Sequence, residues 1–315
     1  TGELRVIAIT GSVGKTTVKD LTADLLAGAG PTVWPPNSYN NEVGVPLTAL
    51  RADEETQFLV LEMGARSIGN LAYLTSLIRP DIAVELAVGT AHSGVFGSID
   101  NTARAKAELV ESLVAGSTAV LNADDSRVAA MREVLAADVE TLWFSQRESL
   151  PEWVGADDRI VRATGISTDS SGHPSFALHL PGEEPQEVRL ALVGEHHVGN
   201  ALAAAAAGDD APALGRSDVD VAIGGLALGL ADRRADLGVR IEGVTYAQCG
   251  DLLGQRLGAA DIVLVEAVAA VDDDRVGAAF PRDPLEQVRR HRGVVDRLAA
   301  ARTHGPDRGV IIQAH

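Results

Sequence analysis

Apolar and polar positions alternate along the chain between short β-branched runs and stretches with helical spacing. The first run, residues 4–10, leads into a glycine at position 11, and a helical pattern follows over residues 16–27. Similar apolar runs cover residues 58–64, 81–88 and 117–122. Strands and helices in this rhythm predict an α/β fold with a parallel sheet flanked by helices, in which ligands bind beyond the carboxyl ends of the strands.

The pattern changes in the second half of the sequence. Two alternating segments, residues 175–180 and 187–192, flank Pro181-Gly182 and predict antiparallel strands. A helix is predicted over residues 198–207, and a second α/β unit is predicted from about residue 238. The predicted organisation is a central domain at 1–210 with a small antiparallel β appendage at about 151–193, a linker at 211–237, and a short carboxyl-terminal α/β domain at 238–315.

Composition narrows the classes of partner. The 315 residues carry a formal net charge of -17, which argues against nucleic acid because a polyanion would be repelled. A single cysteine excludes an intramolecular disulfide. The sequence contains neither a long apolar span nor a signal segment, so we expect a cytoplasmic protein with no membrane partner.

The strongest chemical signal is the segment Thr10-Gly11-Ser12-Val13-Gly14-Lys15-Thr16-Thr17, between the first strand and the first helix. Backbone N–H groups of such a loop, with the helix N-terminus, attract phosphate. Lys15 would reach the β- and γ-phosphates of ATP, and the Thr16 hydroxyl would bind Mg²⁺. Ile9 stands where the common P-loop pattern has its first glycine. A glycine-rich turn without a nucleotide is the alternative.

This loop resembles that of the Mur ligases, which use ATP to activate a carboxylate as an acyl phosphate and then capture it with an amine. Further segments match in the same order and look like the branch that adds D-alanyl-D-alanine to UDP-N-acetylmuramoyl-tripeptide. These segments are residues 37–46, 61–66, 89–92, 96–98, 105–109, 121–125 and 194–201. The resemblance covers about residues 4–205 and implies an ATP-dependent amide ligase that takes a small-molecule acid and amine.

The resemblance also implies catalytic roles for residues outside the loop. Glu62 would be a Mg²⁺ ligand, with a solvated strand-end acid as the alternative. His92 would complete a second Mg²⁺ site, although a lone histidine is more often structural. Lys106, which is carbamylated in several Mur ligases, would supply an anionic oxygen to that second metal. The alternative for Lys106 is an exposed helix lysine paired with an acid.

Two further groups carry binding roles by the same resemblance. His196 and Asn200, four positions apart, would contact the nucleotide base, with helix capping as the competing role. Asn40, Asn41 and Glu42 would hold carboxylate and amide groups of the substrate. Asparagine also favours turns, so a turn is the alternative for this cluster.

The sequence departs from the family at three places. The family has a uridine-nucleotide-binding domain ahead of the P-loop strand, whereas this sequence starts almost at that strand. Ala87 replaces an asparagine of the branch, and the usual Asp-Ser/Ala-Tyr-Asn-Ala-Asn-Pro run is missing after Thr245. We therefore expect a Mur-type core that ligates a smaller acid and amine in specialised metabolism. A fragment or variant of the peptidoglycan ligase, a non-catalytic nucleotide-binding partner, and a homo-oligomer or partner subunit remain open.

Overall fold

One nine-stranded sheet organises the part of the chain that the computed structural model describes, residues 4–89 and 97–211. The strands are β1 Arg5–Thr10, β2 Thr32–Val33, β3 Phe58–Glu62, β4 Ile82–Glu85, β5 Thr118–Asn122, β6 Glu140–Ser145, β7 Arg159–Thr168, β8 Pro174–His179 and β9 Gln186–Arg189. Their order across the sheet is β2-β3-β1-β4-β5-β6-β7-β8-β9. Neighbours from β2 to β7 are parallel, whereas β8 and β9 are antiparallel.

Helices cover both faces of this sheet. They are α1 Lys15–Ala27, α2 Gly44–Ala49, α3 Asn70–Leu77, α4 Ile99–Glu111, α5 Ser126–Ala129, a 3₁₀ helix Ala130–Val134, and α6 His196–Asp209. Buried side chains of α1 and α6 share one apolar core, and those of α2, α3 and α4 share the other. No helix in the described ranges is long and apolar enough to cross a membrane.

Strand β1 shows how the two cores arise from one run of apolar residues. Successive side chains of a strand point to opposite faces, so Ile7 and Ile9 join the α1 and α6 core. Val6 and Ala8 join the α2, α3 and α4 core. A strand that is buried on both faces needs apolar residues at every position, which explains the unbroken run in the sequence. The loop that follows β1 is therefore fixed by a rigid, buried strand.

Helix α6 contributes small side chains to its core. Residues 203–207 are consecutive alanines, and all of them are buried against α1 and the sheet. Small side chains bring a helix axis close to its neighbours, which places the N-terminus of α6 beside the N-terminus of α1. This packing matters for the site because α1 begins at the lysine of the phosphate loop.

The predicted α/β fold with a parallel sheet and an antiparallel appendage is confirmed, and the appendage continues the same sheet through β8 and β9. Helices predicted at 16–27 and 198–207 are observed at Lys15–Ala27 and His196–Asp209. The predicted linker, apart from Ala211, and the predicted carboxyl-terminal domain lie outside the described residues, so the proposed domain boundaries stay predictions.

Candidate functional site

The loop between β1 and α1 is pressed against two other segments. Gly14 has a φ of 84°, and a Cβ atom there would lie 2.5 Å from Oδ1 of Asn200. A Cβ atom at Gly11, where φ is 154°, would lie 2.7 Å from Cβ of Leu86. Both approaches are closer than real Cβ contacts, and Gly14 also has a left-handed backbone, so glycine is required for this loop conformation. Helix α1 begins at the next residue, Lys15.

Ser12 fastens the loop to the segment that follows β4. Its backbone N–H donates to the carbonyl of Ala87 at 2.8 Å, and its Oγ accepts from the N–H of Gly89 at 2.8 Å. Val13 stands at the outer side of the loop with 63% of its surface exposed. Thr17 lies in the first turn of α1, where backbone N–H groups have no acceptor within the helix. The loop therefore combines fixed geometry with free donors, as an anion site requires.

Lys15 is folded back over the loop that precedes it. Its Nζ donates to the carbonyl oxygen of Gly11 at 2.7 Å. Burial lowers the pKa of Lys15, whereas the negative charges of Glu62 and Glu85 act in the opposite direction. The ammonium group is thus held inside the loop, close to two carboxylates.

Thr16 and Glu62 form the polar centre of the site. Thr16 Oγ1 donates to Glu62 Oε2 at 2.8 Å, and Nδ2 of Asn40 donates to Glu62 Oε1 at 2.7 Å. Ser38 Oγ lies 2.8 Å from Thr16 Oγ1 and donates to it, because the one Thr16 proton is already given to the carboxylate. Glu62 is only 1% exposed. Side chains from α1, from β3 and from the loop between β2 and α2 thus meet at one point.

This donor set fits Mg²⁺ held together with phosphate. Magnesium prefers oxygen ligands, and it usually takes one or two carboxylate or hydroxyl groups from the protein and the rest from phosphates and water. Thr16 and Glu62 offer such a pair beside the phosphate loop. The described residues contain no group of three or more His, Cys, Asp or Glu side chains that would form an all-protein metal cage.

The side chains of Asn40, Asn41 and Glu42 contact three different partners in the structure. Asn40 faces Glu62, whereas Oδ1 of Asn41 accepts from the N–H groups of Val43 and Gly44, at 3.3 and 2.8 Å, as α2 begins. Glu42 is exposed, and its Oε1 accepts from Nδ2 of Asn70 at 3.2 Å. Asn41 therefore makes the turn that was left open as its alternative, and Asn40 belongs to the polar centre.

Asn200 lies against the phosphate loop, and its predicted contact with the nucleotide base stays a prediction. Its Oδ1 is the atom that a Cβ at Gly14 would meet, and its Nδ2 lies 3.2 Å from Nδ1 of His197. The ring of His196 lies 4.1 Å from that of His197, centre to centre. The N-cap of α6 is Glu195, and its side chain makes no capping hydrogen bond.

Lys106 is buried rather than exposed. It is 5% exposed, and its Nζ donates to Oγ1 of Thr10 at 3.5 Å. Burial lowers the pKa of Lys106, and the nearby Glu85 carboxylate opposes that shift. The structure thus brings Lys106 to the carboxyl end of β1, close to the loop. His92 lies outside the described residues.

Comparison with known proteins identifies the family. Residues 9–208 match the model of the Mur ligase middle domain. The chain belongs to the Mur ligase family. It is 46% identical over 205 residues to the UDP-N-acetylmuramoyl-tripeptide–D-alanyl-D-alanine ligase of Mycobacterium tuberculosis, covering 65% of this chain and 38% of that protein. The Escherichia coli ligase of the same name is 37% identical over 203 residues, covering 64% of this chain and 42% of that protein.

Solved Mur ligase structures share the fold. MurF from Acinetobacter baumannii superimposes with a TM-score of 0.63 at 29% identity, covering 81% of this chain and 55% of that one. MurF from Thermotoga maritima, in complex with ADP, gives 0.53 at 28% identity, covering 65% and 44%. The chain spans less than half the length of the curated Mur ligases named above. The resemblance stated from sequence is confirmed, including its branch.

Asn122 and Asp125, whose roles were not predicted from the sequence, hydrogen-bond to the segment after β4 that contacts the phosphate loop. Nδ2 of Asn122 donates to the carbonyl of Leu86 at 2.7 Å, and Oδ2 of Asp125 accepts from the N–H of Val88 at 2.8 Å. These two hydrogen bonds hold in place the segment after β4 to which Ser12 of the phosphate loop is hydrogen-bonded. Their segment, 121–125, carried the resemblance, but nothing local indicated that its side chains reach across to the end of β4.

Glu85 was also missed, and it is the least expected residue of this Mur ligase site. It is 0% exposed, and neither carboxylate oxygen has a hydrogen-bond partner among the described residues. Burial raises the pKa of Glu85 to about 8, with Lys106 and Lys15 opposing the shift and Asp125 adding to it. The available signal was an acid in the middle of the run at 81–88, which is otherwise apolar after Asp81.

The close contact at Gly14 makes a testable prediction for the loop. Gly14→Ala is expected to weaken MgATP binding at least about tenfold, because the new methyl group displaces either Asn200 or the loop. Gly69→Ala is the matched control, since Gly69 also has a positive φ of 94° but has no atom within 4 Å of the added Cβ. Calorimetric titration measures both. Equal affinity in the two variants would show that the contact does not shape the site.

Proposed function

We propose that the chain is the catalytic core of an ATP-dependent ligase that joins a carboxylate to an amine, releasing ADP and phosphate. The observation that carries this proposal is the hydrogen bond from Thr16 to Glu62, 2.8 Å long, at the mouth of the loop that holds Lys15. A P-loop hydroxyl and a strand-end carboxylate in this relation suit MgATP. Membership of the Mur ligase family supports the same reaction.

The loop and the polar side chains beside it would bind MgATP in this reaction. The backbone of residues 11–17 holds the phosphates, and the Lys15 ammonium neutralises the charge at the β- and γ-positions. Thr16 and Glu62 would hold Mg²⁺, which would supply positive charge beside the transferred phosphoryl group. Ser38 and Asn40 keep the Thr16 and Glu62 oxygens oriented through the hydrogen bonds described above.

The remaining residues extend the site on either side. We assign His196 and Asn200 to the nucleotide base by family resemblance, and Asn200 lies against Gly14 of the loop. We assign Asn40 and Glu42 to the acid substrate, and His92 to a second metal ion by family resemblance. Phosphoryl transfer depends mainly on positioning and charge stabilisation, so a site of this kind needs little covalent chemistry from the protein.

The acid substrate that we favour is UDP-N-acetylmuramoyl-tripeptide, with D-alanyl-D-alanine as the amine. The support is the name of the ligases that share this middle domain, from Mycobacterium tuberculosis and Escherichia coli. A smaller acid is the second candidate, and Ala87 favours it. Where the branch usually carries asparagine, this chain offers only a methyl group and a carbonyl that already accepts from Ser12.

Amine-dependent ADP release tests the proposal. We expect the longest natural form of the protein to release ADP rapidly when UDP-N-acetylmuramoyl-tripeptide and D-alanyl-D-alanine are both present, and slowly when either is omitted. Turnover with small acids alone would favour the second candidate. MgATP binding without amine-dependent release, for any pair, would replace the ligase proposal by a non-catalytic nucleotide-binding partner.

A further inference from the structure

Two loops border the polar centre that Thr16 and Glu62 form. The β2–α2 loop covers residues 34–43, and its Asn40 donates to Glu62. The β3–α3 loop covers residues 63–69 and follows Glu62 directly in the chain. An acid that attacks a phosphoryl group held at this centre must come within about 3.5 Å of it. These two loops are therefore among the protein surfaces that meet the reacting end of the acid.

The backbones of the two loops meet where they leave the polar centre. The N–H of Gly64 donates to the carbonyl of Asn40 at 2.7 Å. A Cβ atom at Gly64 would lie 3.0 Å from Oδ1 of Asn40 and 3.2 Å from its carbonyl oxygen. The loops thus pack closely against each other at this point, and one hydrogen bond joins them.

Asn70 joins the same two loops at a second point. Its Oδ1 accepts from the N–H groups of Arg66 and Ser67, both at 2.9 Å, and from Ser67 Oγ at 3.2 Å. Its Nδ2 donates to Oε1 of Glu42 at 3.2 Å. Because three donors converge on Oδ1, the amide has one orientation, in which the NH₂ group faces Glu42. One side chain therefore holds the turn of the β3–α3 loop and reaches the end of the β2–α2 loop.

The support for Asn70 is rigid. Asn70 is the first residue of α3, and the N–H groups of Gly69 and Ala72 at the start of this helix donate to the Glu108 carboxylate of α4. Glu108 is only 8% exposed. A carboxylate at this place satisfies N–H groups that have no acceptor within the helix and offsets the helix dipole. The Asn70 side chain thus extends from a fixed helix end to residues that are exposed.

We propose that Asn70 is a positioning residue for the acid substrate, because it holds together the two loops that receive that substrate. The inference rests on the proposed function, which brings an acid to the polar centre. It deepens that function by giving Glu42 an indirect part. The Glu42 carboxylate serves the acid through its hydrogen bond to Asn70, which keeps the β2–α2 loop beside the β3–α3 loop.

Joined loops lower the free-energy cost of binding. Loops that move independently must be ordered when a substrate binds, and each side chain that is immobilised costs about 0.5–1.5 kcal/mol. The hydrogen bonds of Asn70 order both loops before the acid arrives. The phosphate loop is held instead by its contacts with Leu86 and Ala87, to which Asn70 does not contribute. Loss of Asn70 should therefore weaken the acid much more than MgATP.

Steady-state kinetics with UDP-N-acetylmuramoyl-tripeptide, on the longest natural form of the protein, test the proposal. We expect Asn70→Ala to raise the KM for this acid at least about tenfold, with kcat and the KM for MgATP within about threefold of wild type. Asp53→Ala is the matched control. Oδ1 of Asp53 likewise accepts from two N–H groups and one hydroxyl, those of Glu55 and Thr56, but in the loop at the opposite end of β3. This control should keep the wild-type KM for the acid.

A reversed hydrogen bond separates positioning from a general loss of structure. Asn70→Asp keeps an accepting oxygen for the β3–α3 loop but places a second carboxylate against Glu42, so the KM for the acid should rise here too. Adding Glu42→Gln returns one donor and one acceptor to this contact. The double variant Asn70→Asp/Glu42→Gln is therefore expected to recover a KM within about threefold of wild type.

Two kinetic results would overturn the proposal. One is a wild-type KM for the acid in Asn70→Ala. The other is a double variant no better than Asn70→Asp, which would mean that the contact with Glu42 does not join the loops. Asn70→Asp also serves in place of Asn70→Ala if the alanine variant does not fold by circular dichroism.

Amide hydrogen exchange tests the joining of the loops without any ligation. We expect Asn70→Ala to speed exchange in residues 37–43 and 64–69 at least about fivefold, and Asp53→Ala to leave both segments unchanged. Unchanged exchange in Asn70→Ala would overturn the proposal even in a protein that does not ligate. Faster exchange in that variant, together with a wild-type protein that releases no ADP with any acid, would refute the proposed function but not the joining of the loops.

Discussion

Lys15→Ala is expected to abolish ADP release, by at least about a thousandfold or about 4 kcal/mol in transition-state stabilisation, while the chain stays folded. The Lys15 ammonium lies inside the phosphate loop and donates to Gly11, so its loss removes the charge that faces the β- and γ-phosphates. The side chain is only partly buried and fills no part of either core. Activity, not stability, is therefore expected to fall.

Calorimetric titration of MgATP and an ADP-release assay check this expectation together. Lys19→Met is the matched control, because Lys19 belongs to the same helix but its Nζ donates to the carbonyl of Pro35 and pairs with Asp20. We expect Lys19→Met to lower stability and leave MgATP affinity within about twofold of wild type. Unchanged affinity and ADP release in Lys15→Ala would remove the loop from the nucleotide site.

Lys15→Arg is expected to restore little of the lost activity. The guanidinium group is wider and planar, and it recognises oxygen pairs rather than acting as a compact point charge. The Lys15 ammonium donates to the carbonyl of Gly11, and the backbone at Gly11 and Gly14 lies close to Leu86 and Asn200, so the loop has little room to adjust to a wider group. Positive charge alone is therefore not sufficient at this position.

Much of the sheet was predictable because its central strands are buried on both faces. Continuous apolar runs at 4–10 and 58–64 became β1 and β3, with their ends shifted by one or two residues. Strand β6 was not predicted, since Glu140–Ser145 contains three consecutive apolar residues between polar ones and shows no clear period. Its place beside β5 depends on tertiary pairing, which a local pattern does not contain.

Some residues of the site were predictable from local sequence patterns, whereas the positions of others depend on contacts between distant parts of the chain. The loop and Glu62 were predictable because a glycine turn between strand and helix, and a strand-end acid, are local signals. Asn40 and Asn41 are adjacent and alike in sequence, and only the turn into α2 sends one to Glu62 and the other to Gly44. The contact between Lys106 and Thr10 was not predictable, because helix α4 brings that lysine to the end of β1 from a distant part of the chain.

Glu62→Gln is expected to lower ligation turnover by about 10²- to 10³-fold and to weaken MgATP binding much less. The substitution preserves size, so both cores stay intact. It removes the negative charge, however, and it replaces one of two accepting oxygens by an NH₂ group. Those oxygens accept from Thr16 and Asn40, so one of these two donors must lose its partner.

Turnover at saturating ATP, measured over a range of Mg²⁺ concentrations, separates a metal ligand from a structural acid. If Glu62 binds Mg²⁺, the Glu62→Gln enzyme should need more Mg²⁺ for half-maximal turnover, because ligand loss lowers metal affinity while the phosphates still hold part of the coordination shell. Glu133→Gln, which changes an exposed acid of the 3₁₀ helix, should show the wild-type Mg²⁺ dependence. A Glu62→Gln enzyme with reduced turnover but an unshifted Mg²⁺ dependence would mean that Glu62 only orients Thr16, and the metal ligand would have to be sought elsewhere on the loop.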